Sequence, residues 1–335
     1  MIVALSILAA AQSADKSVPA DLQKKINAAI SKGVKALQGR MRQPAKSERV
    51  FEEKKPLIAY ALLKSGVPAK DLKGLKAEFA AAAGRLQSFD KFSQMYLAGI
   101  LAMFLAEFDD TQPALQKIAD QIVAAQAESG IWGYTLPERY RSENVSTSQY
   151  ALLGLQAAAN RGCKIPPASF DKAARYFLQN SKDGGWGYDN RGNNTPHGAA
   201  TAIGVACLRI CRAHLDPALA GKIDPAVDAG LGWLGRNFSV MDHPGKKPWK
   251  AHKDALWLYY YLYSLERAGI FSNAPKFGDR EWYREGAEFL VAKQRADGMW
   301  DPTHERHEDD DLATCFALLF LARASDGFIP TGGSK

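Results

Sequence analysis

The chain has 335 residues, 47% hydrophobic, 10% aromatic and 24% charged, the composition of a folded globular protein. No apolar run reaches the roughly 18 residues that a membrane-spanning helix requires. The net charge of +7 is concentrated in residues 1–100, where 17 Lys/Arg face 8 Asp/Glu; the remainder holds 26 against 28. These basic residues are scattered through alanine-rich stretches with no aromatic stacking platform, which argues against nucleic acid. They form a solvated face, and leave room for peripheral contact with a membrane or with an acidic protein partner.

In chain order, Met1–Ala11 is apolar and ends in Ala9-Ala10-Ala11 before the polar Gln12-Ser13. That resembles the core and cleavage site of a secretory signal peptide, although no Lys or Arg precedes Ile2. Residues 1–25 are therefore read as leader and linker, and the chain is expected to be exported. Residues 26–324 form one domain and 325–335 a tail.

From Ile26 onward the periodicity predicts six pairs of helices. One helix of each pair is amphipathic: Ile26–Leu37, Leu75–Leu86, Leu115–Ala125, Phe170–Gln179, Ala226–Leu234 and Tyr283–Gln294. The other is apolar nearly all round: Leu57–Leu63, Met95–Ala106, Tyr150–Ala159, Ala200–Ile210, Leu256–Leu265 and Leu312–Ala322. A helix apolar on every side must be enclosed by neighbours. Six outer helices around six inner ones predict an all-α fold, an α/α toroid with a central cavity at the ends of the inner helices.

Three outer helices end in a repeated phrase, Gln126-x3-Gly130-x-Trp132, Gln294-x3-Gly298-x-Trp300, and, with one extra residue, Gln179…Gly184-x-Trp186. Repetition marks a copied supersecondary unit. Its reading is mechanical: the Gly takes a left-handed turn, the Gln amide binds exposed backbone, and the Trp covers the turn. The first two hairpins lack it.

The pattern Gly286-x2-Phe289-Leu290-x3-Gln294-x3-Gly298-x-Trp300 resembles the QW motif of squalene and oxidosqualene cyclases, whose superfamily includes the β subunits of protein prenyltransferases. Asp183-Gly184-Gly185-Trp186-Gly187-Tyr188 is similar to the Gly-rich loops of the same group. The resemblance spans Ile26 to Ala324, most clearly from Leu115, and implies the toroid. It also implies a cyclase-type acid at Glu308-Asp309-Asp310-Asp311, with Asp310 as proton donor beside Glu308 and Asp311. Crowded carboxylates keep one member protonated. This chain departs from the cyclases in Glu308, in Leu312 where they carry Thr, and in having a single helical domain. The alternative role is a helix cap, in which the acids complement the dipole at the start of the last inner helix.

The prenyltransferase zinc site does not carry over. Asp254 stands in a suitable place, but Leu256 and Ala313 occupy the positions of the Cys and His. A different metal cluster could draw on His304 and His307 with Glu308, Asp309 or Asp311; no cofactor is expected. Polar residues enter at equivalent points of successive inner helices: Thr147 and Gln149, His197 and Thr201, and His252 and Asp254 beside Trp257. They predict a ligand rim. The cysteines have no metal or disulfide spacing and read as small buried hydrophobes. No phosphate-loop, dinucleotide, nucleophile-elbow or HExxH motif occurs. Three functions remain: a binding or scaffolding toroid for an apolar or isoprenoid molecule, an acid-initiated isoprenoid cyclase or mutase, and a carbohydrate-processing toroid using Asp254 and Asp310.

Overall fold

The computed structural model describes residues 18–42, 48–137, 142–189, 192, 194–245, 257–301 and 310–329, with backbone alone for 48–53. Among them lie twelve α-helices and no β-strand, so the protein is all-α. The odd-numbered helices are α1 (Ala20–Arg42), α3 (Lys73–Ala82), α5 (Gln112–Ala124), α7 (Pro167–Gln179), α9 (Pro217–Arg236) and α11 (Trp282–Lys293). The even-numbered ones are α2 (Glu48–Lys64), α4 (Gln94–Leu105), α6 (Val145–Asn160), α8 (Gly198–Arg212), α10 (Leu258–Phe271) and α12 (Asp310–Leu321). No described helix is long and apolar enough to cross a membrane. The export signal expected at Met1–Ala11 and the alternative metal ligands His304, His307 and Asp309 lie outside the described residues, as do His252, Asp254 and Glu308.

The two helix types follow from their sequences. In α1 the buried residues Leu22, Ile26, Ala29, Gly33, Val34 and Leu37 recur at three- and four-residue spacing and form one stripe. In α4 every residue except Tyr96 is buried. The even helices touch in order, α2 on α4, then α6, α8, α10 and α12, and α12 returns to α2. The odd helices pack against this closed cycle: α5 on α4 and α6, α7 on α8, and α11 on α10 and α12. Most helices run several residues beyond the periodic segments, α1 from Ala20 and α6 from Val145, and two boundaries have a clear local cause. Helix α9 begins at Pro217, because Asp216 caps it by accepting from the Ala218 and Leu219 amides and Pro217 needs no amide partner. Helix α3 stops at Ala82, and Leu86–Ser88 forms a separate 3-10 turn.

The Gln-Gly-Trp phrases join neighbours rather than only ending helices. Gly130, Gly184 and Gly298 have φ of +93°, +82° and +88°, the left-handed region that side chains avoid. A Cβ on each would stand 2.4, 2.8 and 2.7 Å from the carbonyl oxygens of Lys172, Ala229 and Lys32, each on the next odd helix. Gln126 Nε2 donates to Gly130 O at 2.7 Å and across to Ser169 O at 2.9 Å. The indoles of Trp132, Trp186 and Trp300 are fully buried, and each Nε1 donates to a carbonyl of the preceding helix, Ile122, Phe177 and Leu290. Truncating such a ring to Ala costs about 3–5 kcal/mol.

Candidate functional site

A cavity of about 800 Å³ opens where the N-terminal ends of the even helices converge. Four of them line it with side chains one turn apart: Tyr96 and Ile100, Ser146 and Tyr150, Ala199 and Ile203, Leu312 and Phe316. This i, i+4 spacing places both members of each pair on one helix face. Lys54 and Leu57 of α2 and Tyr260 of α10 complete the wall, and the connecting segments add Tyr134, Tyr188, His197, His243 and Trp257. Phe92 stands at its edge, 60% exposed, with the Lys91 ammonium 5.1 Å from its ring centroid.

Aromatic rings make this surface largely apolar, with a few polar points. Tyr260 packs at 5.5 Å from Phe316, and Tyr96 lies edge-on to Tyr150 at 5.2 Å. The Ser146 Oγ is 2.9 Å from the Tyr96 hydroxyl and 2.8 Å from that of Tyr260. Tyr134 and Tyr188 share a hydroxyl–hydroxyl bond. Burial raises the phenols of Tyr96, Tyr150 and Tyr188 and pushes Tyr260 up to about 12, so all stay neutral. Burial lowers Lys54, with Asp311 opposing that shift.

His197 and His243 form a buried pair, with Nδ1 of the first 3.2 Å from Nε2 of the second. The Ala199 amide also donates to His243 Nε2 at 2.9 Å. The Ala200 amide donates in turn to His197 Nδ1 at 3.3 Å, so each of the two facing nitrogens accepts from a backbone amide. The His243 ring stacks on Tyr261 at 5.1 Å and 6°.

Beneath the cavity, Arg267 is fully buried. Its guanidinium lies 3.6 Å from the Tyr263 ring centroid and 5.9 Å from that of Tyr150, which supplies cation–π stabilisation. Its Nη2 donates to Gln149 Oε1 at 2.8 Å and to Ser264 Oγ at 3.3 Å. Arg267 Nε and Nη1 and Gln149 Nε2 are buried without a hydrogen-bond partner among the described residues.

The predicted rim residues divide. His197 and Trp257 line the cavity, and Gln149 lies behind its wall against Tyr260. Thr147 and Thr201 instead serve the folded loops. Thr147 Oγ1 donates to Trp132 O at 2.7 Å, and Thr201 Oγ1 accepts the Trp186 amide at 3.2 Å. Ser148 and Thr314 accept the amides of Trp132 and Trp300 in the same way. A hydroxyl 14 to 16 residues after each phrase Trp is the sequence signal for this contact.

Asp310 opens α12 and accepts from Arg295 Nη2 at 2.8 Å, beside Asp297 on the same guanidinium. Asp311 is 2% exposed and receives both Arg40 Nε at 2.9 Å and Nη2 at 3.2 Å. The α12 side chains on the cavity are Leu312 and Phe316. Among the described residues no group of three His, Cys, Asp or Glu is placed to hold a metal.

A second, open groove of about 1330 Å³ lies at the C-terminal ends of α6, α8 and α10. Its Arg209 and Arg212 are both engaged by Asp224, at 2.7 and 3.0 Å. Its lining mixes Phe271, Trp282, Tyr283 and Ile329 with the charged Glu281, Arg284, Arg323 and Asp326.

The chain matches no family model and no curated protein. Among solved structures, a protein from Actinoplanes is similar at 15% identity and a TM-score of 0.32, over 75% of this chain and 99% of that one.

Proposed function

We propose that the chain is a six-hairpin α/α toroid of the squalene cyclase and prenyltransferase type, and that it binds an apolar molecule of isoprenoid size in the cavity. The closed cycle of even helices supports the toroid. The observation that carries the binding reading is the aromatic cavity itself, about 800 Å³ and walled by Tyr96, Tyr150, Tyr260 and Phe316. Concave, mostly apolar sites of this size with a few convergent polar groups are the usual form of small-molecule pockets.

The acid-initiated cyclase reading has the aromatic wall in its favour, since rings stabilise carbocations. Its proposed donor, Asp310, is engaged by Arg295 instead of lining the cavity. Binding is therefore the reading adopted, with an exported protein approached from a lipid surface at Phe92 and Lys91. The test is thermal unfolding with farnesol or squalene, using wild type and Leu312→Trp, which fills the cavity. A ligand at a hundred times its dissociation constant stabilises by about 2.7 kcal/mol, and the variant should lose that shift. An unmoved midpoint with every apolar ligand would refute the reading. Sedimentation with anionic vesicles tests the surface contact, which predicts salt-sensitive binding weakened by Phe92→Ser.

A further inference from the structure

Three hydroxyls on the cavity wall, those of Tyr260, Ser146 and Tyr96, are not free to point either way, and the inference drawn from them rests on the cavity being a ligand site. Arg267 has only donors, so the Gln149 atom facing its Nη2 at 2.8 Å must be the carbonyl oxygen. That oxygen also lies 3.2 Å from the Tyr260 hydroxyl, which must therefore donate to it. Tyr260 has one proton and has now used it. At its 2.8 Å contact with Ser146, the serine must donate. Ser146 has then spent its own proton, so Tyr96 must donate at 2.9 Å. The buried guanidinium thus fixes the direction of three hydroxyls in series. The chain ends at Tyr96, the one residue of α4 that is partly exposed, and exposed to this cavity.

We propose that Tyr96 offers the ligand an acceptor oxygen whose proton is committed elsewhere, so the cavity selects an apolar molecule ending in a neutral hydrogen-bond donor, a long-chain or isoprenoid alcohol. A hydrocarbon makes no bond there. An ether or an ionised acid presents only acceptors, and acceptor meets acceptor at Tyr96. The opposing influences are Lys54 on the α2 wall and the Arg267 charge, both of which attract an anionic head. Arg267 lies behind Gln149, with the Tyr263 ring against its face, and Lys54 stands on a different helix from Tyr96, so the short-range contact at Tyr96 decides.

The experiment is a binding titration of wild type, Tyr96→Phe and Ser146→Ala with farnesol, farnesyl methyl ether and farnesoic acid, which share one skeleton. Wild type should hold the alcohol roughly five- to tenfold tighter than the ether, the range of one neutral hydrogen bond. Tyr96→Phe should weaken the alcohol and relieve the ether until the two bind alike, and its binding of the ether shows that the variant is folded. Ser146→Ala frees the Tyr96 proton to turn into the cavity, so the ether should gain on the alcohol. Equal binding of alcohol and ether by wild type would overturn the inference and leave the cavity reading standing. So would an alcohol preference that survives in Tyr96→Phe, or tightest binding of the acid. If none of the three binds, the cavity reading fails and the inference fails with it.

Discussion

Gln294, at the C-terminal end of α11, donates through Nε2 to the carbonyl of Ala29 in α1 at 2.9 Å, across 265 residues of sequence. The same amide reaches Gly298 O at 2.9 Å, so both of its protons are used. Two residues of one phrase therefore join the last odd helix to the first, and the Gly298 backbone passes close beside Lys32. Gly298 is held by two constraints, a φ of +88° and a carbonyl 2.7 Å from where a Cβ would stand. Gly162 has only the first, with a φ of +76° and open space around it. Gly162→Ala should cost about 1–2 kcal/mol, the strain of a left-handed alanine. Gly298→Ala should cost clearly more in urea unfolding, because the α11–α1 contact must also open. Equal losses would mean that the seam is not a point of close packing.

The two acids opening α12 should separate in the same assay. Asp310 is 43% exposed and shares Arg295 with Asp297, so Asp310→Asn should change stability by less than about 1 kcal/mol. Asp311 is buried and receives two hydrogen bonds from Arg40. Asp311→Ala should cost about 2 kcal/mol, tempered because the half-exposed guanidinium can return to water. Asp310→Asn should also bind farnesol as wild type does. Loss of binding in that variant would return Asp310 to the ligand site.

Helix class and position were legible because apolar periodicity is a local property. Met95–Ala106 reads as enclosed on every side, and α4 is buried except at Tyr96. The phrase Gln-Gly-Trp announced its left-handed glycines and covered turns, since both depend on residues within a few positions. It did not announce its cross-helix partners, Ser169 and Ala29. In α10 Tyr259, Tyr260 and Tyr261 are consecutive, and only helix rotation decides which of the three faces inward; it is Tyr260, while Tyr261 stacks on His243 and Tyr263 covers Arg267. The Gln149–Arg267 bond joins residues 118 apart, and no pattern in either segment foretells it. Thr147 and Thr201 looked like rim residues because a hydroxyl at a helix start is equally suited to a ligand and to a loop carbonyl.

The four cysteines are free and buried. Cys207, Cys211 and Cys315 are wholly enclosed, and burial raises all three thiols, which removes the reactive thiolate. Cys163 is 8% exposed and raised by its partial burial. A thiol reagent at pH 8 should therefore label Cys163 slowly and the other three only as the protein unfolds. Full labelling should follow at once in denaturant. Fast native labelling of Cys207 or Cys315 would contradict the packing of α8 or α12.

Glu266 should make stability fall as pH rises from 4.5 toward neutrality. It is wholly buried in α10 and accepts from the Ser325 amide at 3.0 Å and the Ser325 hydroxyl at 2.7 Å. Burial pushes its carboxyl up from 4.5 to about 7, and the Ser325 bonds oppose that shift without cancelling it. Between these two values the folded protein keeps a proton that the unfolded chain releases. Stability is then greatest near pH 4.5 and declines until about pH 7, by about 3 kcal/mol from this group if the whole shift is realised. Glu266→Gln keeps an acceptor for the Ser325 amide and removes the titration. The difference in unfolding free energy between wild type and Glu266→Gln, measured from pH 4.5 to 8, should shift toward the variant as pH rises. Curves that stay parallel across that window would show that the Ser325 bonds hold Glu266 ionised throughout.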